Sequence, residues 1–274
     1  MLKIYLKKCY TIFVSFGCDP IKLISIFRGY PKYFENLGKL KKSISRSKLN
    51  PVPNSVKKFG APYPIVNEFF SSAGTASGHY FHQDLLIANN IYRSKPALHL
   101  DIGSRIDGFI AHLLSFEQKT ILGDVRPIEI NNPNISFILM DLTGKLEQSL
   151  IGRYESVSCL HAIEHMGLGR YGDPVNASGH YLALHNLTQL LSDKGTLYLS
   201  YPTGSNSRIE YNAHRVISLA ESRHMFNING LKVEGFAYVD DSGNLSRVEN
   251  PDDIDWDSSY GLSYGCAIWT LQKQ

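Results

Sequence analysis

The sequence predicts an α/β chain: a mostly parallel, seven-stranded sheet with helices on both faces, preceded by a basic helical N-terminal appendage. Three observations predict it. From Ala97 onward, short apolar runs alternate with helix-like stretches. A tight glycine turn follows the first run, and acids close the next two. Charge is also split along the chain. Residues 1–60 hold thirteen Lys or Arg against two acids, Asp19 and Glu35, giving +11, while the other fifteen basic and twenty-three acidic residues give −8. The basic end is therefore a separate feature and not a dispersed surface.

Residues 1–50 interleave apolar and basic side chains. Asp19 to Arg28 reads as a capped helix with Pro20 at its first position, and Pro31 to Lys42 as a second helix. Leu23, Ile26 and Phe27 share one face, as do Tyr33, Leu37 and Leu40. Helices of this kind can lie on an anionic membrane surface. They can equally form a helical hairpin packed on the domain, or a contact between copies in a homo-oligomer. Residues 51–64 read as a linker carrying Pro51, Pro53, Pro62 and Pro64, and residues 65–274 as the α/β domain.

Within that domain, Ser71 to Gly78 is a small-residue loop without the Gly-Lys-Ser/Thr ending of a P-loop. A helix from about Tyr80 to Tyr92 follows. Strands are expected at Ala97–Ile102, Thr120–Asp124, Ile135–Met140, Ser156–Leu160, Gly195–Tyr201, Leu231–Tyr238 and Cys266–Leu271. Phe109 to Leu114 is helix-like. Ser178 to Leu191 reads as a helix with Ser178 as its cap and Leu184, Leu187 and Leu191 as its buried stripe.

Composition narrows the function. The four cysteines, Cys9, Cys18, Cys159 and Cys266, are far apart, and no Cys-x-x-Cys pair points to zinc or redox chemistry. Cys159 and Cys266 read as small buried hydrophobes. The apolar run from Tyr10 to Cys18 falls well short of the ~20 residues that span a bilayer. With Lys3, Lys7 and Lys8 ahead of it, the run imitates a signal peptide but lacks a small-x-small cleavage pattern, so the chain is expected in the cytoplasm, with peripheral contact to the inner membrane face an option.

The candidate chemistry gathers where strands end. Asp101-Ile102-Gly103-Ser104 closes the first strand, Asp124 the second, and Asp141-Leu142 the third. Ligands of open α/β sheets bind at that edge. Glycine there lets the chain turn and lets a ligand approach the backbone. Asp124 can accept from two ribose hydroxyls and Asp141 from an adenine amino group. After the fourth strand comes the densest run of ionisable groups: His161, Glu164, His165, Arg170, Tyr171, Asp173 and His180. His-x-x-Glu-His is formally an inverted zinc-protease motif, but it follows a strand directly instead of riding a helix, so no metal is assigned. Histidine near its ordinary pKa of about 6.5 suits general-base work, with His165 and His161 as candidates and Glu164 to orient one of them. Beyond the fifth strand, Arg208, Asn212, His214 and Arg215 stand in a polar stretch able to bind sugar hydroxyls or a phosphate.

The ordered set of Asp101-Ile102-Gly103, Asp124 and Asp141 resembles the class I S-adenosylmethionine (SAM) dependent methyltransferases, from about Gly60 to the C-terminus. Gly78-His79-Tyr80-Phe81-His82-Gln83-Asp84, His99 through Gly108, His161-Ala162-Ile163-Glu164-His165 and Asn212-Ala213-His214-Arg215 resemble the DUF268 family, methyltransferase-like proteins of bacterial surface-polysaccharide gene sets. The resemblance implies a Rossmann-like fold, SAM as cofactor, and a hydroxyl acceptor on a glycan or a nucleotide- or lipid-linked sugar. It implies SAM contacts from Asp101, Gly103, Ser104, Arg105, Asp124, Asp141 and Leu142, and a lead-in segment over the site that carries His79, Tyr80, His82 and Asp84. Arg105 departs from the family's Gly-x-Gly-x-Gly turn. Either it neutralises the methionine carboxylate, or the pocket is rebuilt for something else. The other reading is a non-catalytic scaffold in a polysaccharide assembly complex. Nucleic acid is not expected as a partner, since no Asn-Pro-Pro-Tyr-type motif is present.

Overall fold

A computed structural model describes residues 10–49 and 51–274; Lys3, Lys7, Lys8 and Cys9 lie outside the described residues. The chain divides into two compact units, one ending at Thr75 and one spanning Ala76–Gln274.

In the first unit, α1 (Pro20–Ser45) is one continuous helix. Asp19 caps it, its Oδ1 accepting from the Ile21 and Lys22 amides at 3.0 and 3.1 Å, and Pro20 takes a position that needs no N–H. The two expected helices are therefore a single one, with Pro31 inside it. Proline removes the donor to the Phe27 carbonyl. The apolar stripe still runs in phase across it, from Leu23, Ile26 and Phe27 to Tyr30, Tyr33, Phe34 and Leu37, so the turns on either side hold the same helix. Gly29 is required: a Cβ there would lie 1.9 Å from the Val66 carbonyl oxygen, where the chain crosses back over the helix. Leu23, Phe27, Phe34 and Leu40 stay exposed. Among the described residues no helix is long and apolar enough to cross a membrane.

The second unit is a doubly wound sheet. Its strands are β1 (His99–Ile102), β2 (Thr120–Asp124), β3 (Ile135–Leu139), β4 (Tyr154–Leu160), β5 (Leu191–Thr203), a separate ribbon β6 (Arg208–Glu210) and β7 (His214–Val216), then β8 (Leu231–Val239), β9 (Leu245–Val248) and β10 (Gly265–Lys273). Among the described residues the main sheet has eight strands, in the order β3-β2-β1-β4-β5-β10-β8-β9. The seven expected strands are all present, and β9 adds an eighth at the edge, paired antiparallel to β8. Pairs from β3 to β5 are parallel, while β10 runs antiparallel between β5 and β8.

Helices α2 (His79–Ser94) and α3 (Ala111–Ser115) cover one face, where Ile87, Ile91, Phe109 and Leu113 pack on Leu122, Leu160, Tyr198 and Ile268. Helices α4 (Gly179–Leu190) and α5 (Leu219–Ile228) cover the other, where Leu184, Leu187 and Phe226 pack on Val157, Leu197, Leu199 and Trp269. Period-two alternation along β5 and β10 assigns each residue to its core. Ser178 stands at the start of α4 but makes no side-chain cap bond, a departure from expectation. The polar stretch after β5 is not a simple loop, because Arg208–Glu210 and His214–Val216 pair as a hairpin ribbon.

The strand order reverses between β1 and β4, which creates a crevice at their C-terminal ends. A buried polar chain braces this point. His99 reaches Ser156 Oγ and Ser158 Oγ, each at 2.8 Å, and Ser158 Oγ donates to Asp101. Burial holds the His99 imidazole neutral, its pKa depressed to about 3.

Candidate functional site

The crevice opens into a cleft of ≈ 790 Å³, with a slot of ≈ 80 Å³ beside it between the tips of β1 to β4. Gly103, Asp124, Arg126, His161, His165 and Tyr171 line both.

The glycine turn is built for close approach. Gly103 has φ +71°, and a Cβ there would meet Ala162 Cβ at 3.0 Å. Its N–H is fixed by the Gly123 carbonyl at 2.9 Å. Asp101 does not line either cavity. It is buried and braces the turn from behind, accepting Ser104 Oγ at 2.7 Å and the Ser104 amide at 3.2 Å. Burial outweighs those hydrogen bonds and raises its carboxyl to about 6. Ser104 and Arg105 border the cleft. Arg105 pairs with Asp107 at 3.0 Å, lies over the Tyr80 ring at 5.4 Å and remains well exposed. Gly108, the next glycine, serves packing: a Cβ there would lie 2.7 Å from Asp84 Oδ2.

The two strand-end acids face the slot with Leu142. Both are engaged locally. Arg126 Nε and Nη2 grip Asp124 Oδ1 and Oδ2, each at 3.1 Å, and the Arg126 amide donates to Oδ1 at 2.9 Å. Asp141 Oδ1 accepts the Thr143 amide at 2.8 Å and Thr143 Oγ1 at 2.7 Å. A carboxylate offers about four lone-pair sites, so each acid keeps acceptor capacity toward the slot. Arg126 also lies over the Tyr171 ring at 4.5 Å, as does Arg170 at 5.2 Å.

His161, Glu164 and His165 follow β4 on a short 3₁₀ turn (Ile163–His165), which is no platform for a helical His-x-x-Glu-His motif. Glu164 Oε1 lies between the two histidines, 2.9 Å from His161 Nδ1 and 3.8 Å from His165 Nε2. The histidines then diverge. His161 has φ +50° and only 5 % side-chain exposure. Burial works against a charged imidazole, but the Cys266 sulfur and Glu164 outweigh it and hold His161 well above the ordinary range. His165 Nδ1 lies 2.7 Å from the Ala213 carbonyl, so that nitrogen carries the proton and Nε2 keeps its lone pair. Burial lowers its pKa, leaving the ring neutral at pH 7. His165 is thus a neutral base at the junction of slot and cleft, with a carboxylate beside the atom that would be protonated.

The expected acceptor residues separate. Tyr80, Arg170, Tyr171 and His214 line the cleft. Arg215 does not: it is buried, and its guanidinium donates to the Met166 and Ala177 carbonyls at 2.8 and 3.2 Å, tying the ribbon to the loop after β4. Arg208 pairs with Glu210 at 2.9 Å outside the cleft. Asn212 is exposed at the ribbon tip, and His82 packs edge-on against Phe81. Neither borders the cleft. Arg126 and Tyr264 are cleft residues the sequence reading missed. Arg126 had a local signal, two residues past a strand-end acid. Tyr264 had none, since only the return of β10 brings it there.

Residues 114–242 match the model of the family described as Caenorhabditis protein of unknown function, DUF268. Among curated proteins none matches. Similar solved structures include the [4+2]-cyclase SpnF, with a TM-score of 0.46 and 12 % identity over 69 % of this chain and 80 % of that one. Another is the Burkholderia thailandensis 1,6-didemethyltoxoflavin-N1-methyltransferase bound to 1,6-didemethyltoxoflavin and S-adenosylhomocysteine, with a TM-score of 0.44 and 14 % identity over 70 % of this chain and 78 % of that one. A third is a Leishmania major SAM-dependent methyltransferase of the DUF858 family, with a TM-score of 0.46 and 14 % identity over 70 % and 73 % of the two chains.

Proposed function

We propose that this chain is a SAM-dependent O-methyltransferase acting on a sugar hydroxyl of a bacterial surface glycan or its nucleotide- or lipid-linked precursor. The observation that carries the transferase reading is His165: neutral, with Nε2 free, beside Glu164, and bordering both cavities. The turn and the acids fit SAM. Gly103 presents bare backbone, Asp124 and Asp141 keep acceptor sites, and Leu142 and Met140 line the slot. Gly103, Ser104, Asp124, Asp141 and Leu142 would hold the cofactor, with Arg105 for its carboxylate. When bound, SAM supplies an electrophilic methyl group.

The chain's own residues do the rest. His165 Nε2 accepts the proton of the acceptor hydroxyl. The Ala213 carbonyl fixes the tautomer, and Glu164 stabilises the imidazolium that results. Tyr80, Tyr171 and Arg170 offer stacking and charge to a sugar or its phosphate. Support for the glycan rests on the sequence strings and this mixed wall. The test is methyl-labelled SAM incubated with the protein and a nucleotide-sugar or glycan fraction. Label should enter carbohydrate. Label in nucleic acid or protein would overturn the acceptor. SAM binding without any transfer would favour the scaffold reading, to which the Arg126 grip on Asp124 lends support.

We further propose that the first unit holds the protein on an anionic membrane at the inner face. The exposed Leu23, Phe27 and Phe34 on α1 support this, as does the charge of +11 over residues 1–60. Each Lys or Arg near such a surface adds about 1 kcal/mol. Cosedimentation with phosphatidylserine-containing vesicles should fall with salt and vanish on truncation before Pro51. Indifference of the full chain to such vesicles at low salt would make α1 a packing or oligomer element.

A further inference from the structure

The mechanism leaves His161 Nε2 unexplained. It is buried and has no hydrogen-bond partner among the described residues. The atoms facing it come from distant parts of the chain: His79 at the start of α2 and Cys266 near the start of β10. Ligand-capable atoms of His79, His161 and Cys266 all lie within 4.8 Å of one another.

Each side chain is prepared to donate. Glu164 Oε1, 2.9 Å away, fixes the His161 ring through Nδ1 and leaves Nε2 facing the cluster, where a metal ion would displace any proton that Nε2 carries. A carboxylate on the far nitrogen is the arrangement that orients metal-binding imidazoles and raises their donor strength. Cys266 is fully buried, and its sulfur faces His161 besides making long contacts of 3.8 Å to Gln83 Oε1 and 3.6 Å to the Ala267 carbonyl. Gln83 Oε1 already accepts Ser200 Oγ at 2.6 Å, so it competes weakly for the thiol.

We infer that His79, His161 and Cys266 form a binding site for a single zinc-class transition-metal ion, with its fourth position open to the cleft. Two imidazoles and one thiolate suit Zn²⁺ or Co²⁺ and disfavour the oxygen-seeking Mg²⁺ and Ca²⁺. His79 and His161 both border the cleft, which supplies the open side. In a tetrahedral site with bonds of about 2.0–2.3 Å, ligand atoms stand roughly 3.3–3.8 Å apart. The cluster must therefore tighten by about an ångström. His79 can supply that movement: it is half-buried, opens its helix, and stacks on His161 at 5.2 Å and 15°, from which it must turn. On binding, Cys266 loses its thiol proton to solvent. The inference is independent of methyl transfer, since a bound ion takes His161 out of the contest for the acceptor proton and leaves His165.

The test uses the full chain, stripped with chelator and titrated with Co²⁺. A thiolate-to-cobalt charge-transfer absorption should rise to one equivalent and be displaced by Zn²⁺. Glu164→Gln should weaken Co²⁺ binding about 10–100-fold, as loss of such an outer partner typically does. Cys266→Ser should abolish the charge-transfer band, and His79→Ala, at a half-buried position, should weaken binding while circular dichroism stays unchanged. Absence of the band in the folded parent would overturn the proposal and leave a thiol–imidazole contact. A band of parent strength in folded His79→Ala would overturn it too, by placing the ion on other residues.

Discussion

The two walls of the cleft are built in different ways. On the acid wall, each side chain is positioned by near neighbours. Asp124 is tied to Arg126 and Asp141 to Thr143, and behind them the buried Asp101 is tied to Ser104. On the histidine wall, the partners come from remote segments. His165 depends on Ala213, His161 faces His79 and Cys266, and Tyr264 arrives with β10. One carboxylate, Glu164, serves two histidines that it affects differently, one enclosed with its pKa held up, the other open to the cleft with its pKa lowered. Side chains set by strand ends announce themselves in sequence, whereas those set by tertiary closure do not.

The largest expected effect breaks the histidine wall. His165→Ala should lower methyl transfer about 10²–10⁴-fold while SAM affinity changes little. With the neutral ring acting as base, as proposed, kcat/KM should rise with pH through a midpoint below 6.5 and level off above it. Full activity in the variant would remove His165 from the mechanism. Lost SAM binding would make it a structural support of the pocket.

The acid wall predicts a smaller change. On the proposed binding mode, Asp124→Ala would remove two ribose hydrogen bonds worth about 0.5–1.5 kcal/mol each and should weaken SAM about 10-fold. An unchanged affinity would mean that Arg126 keeps Asp124 from the ligand.

What could be read from sequence follows the same division. The seven strands and the turn at Gly103 were legible because apolar runs and a glycine with φ +71° are local requirements. Edge strand β9 was missed because Leu245–Val248 is a four-residue segment with no apolar run. Continuity of α1 through Pro31 was missed because a proline outweighed an apolar stripe that stays in phase. The residues His161, Glu164 and His165 were visible as a dense run, but their division of labour was not. Nor was the inward turn of Arg215, which depends on carbonyls from the loop after β4.

The smallest effect probes the buried brace behind the glycine turn. Asp101 has its pKa raised from 3.8 to about 6. The folded state therefore binds the proton more tightly. The stability it contributes is present in full below 3.8 and is lost as pH rises through about 6. Asp101→Asn cannot ionise. Its melting temperature relative to the parent should be more favourable at about pH 7.5 than at about pH 4. A difference that does not vary with pH would show that Asp101 is not titrating in the folded chain.

The central claim is that the crevice between β1 and β4 binds SAM. Calorimetric titration of the intact protein with S-adenosylhomocysteine tests it most directly. The geometry of Gly103, Asp124 and Asp141 predicts saturable binding of one molecule per chain, with Asp124→Ala binding more weakly. An intact, folded protein that binds neither S-adenosylhomocysteine nor SAM would contradict it.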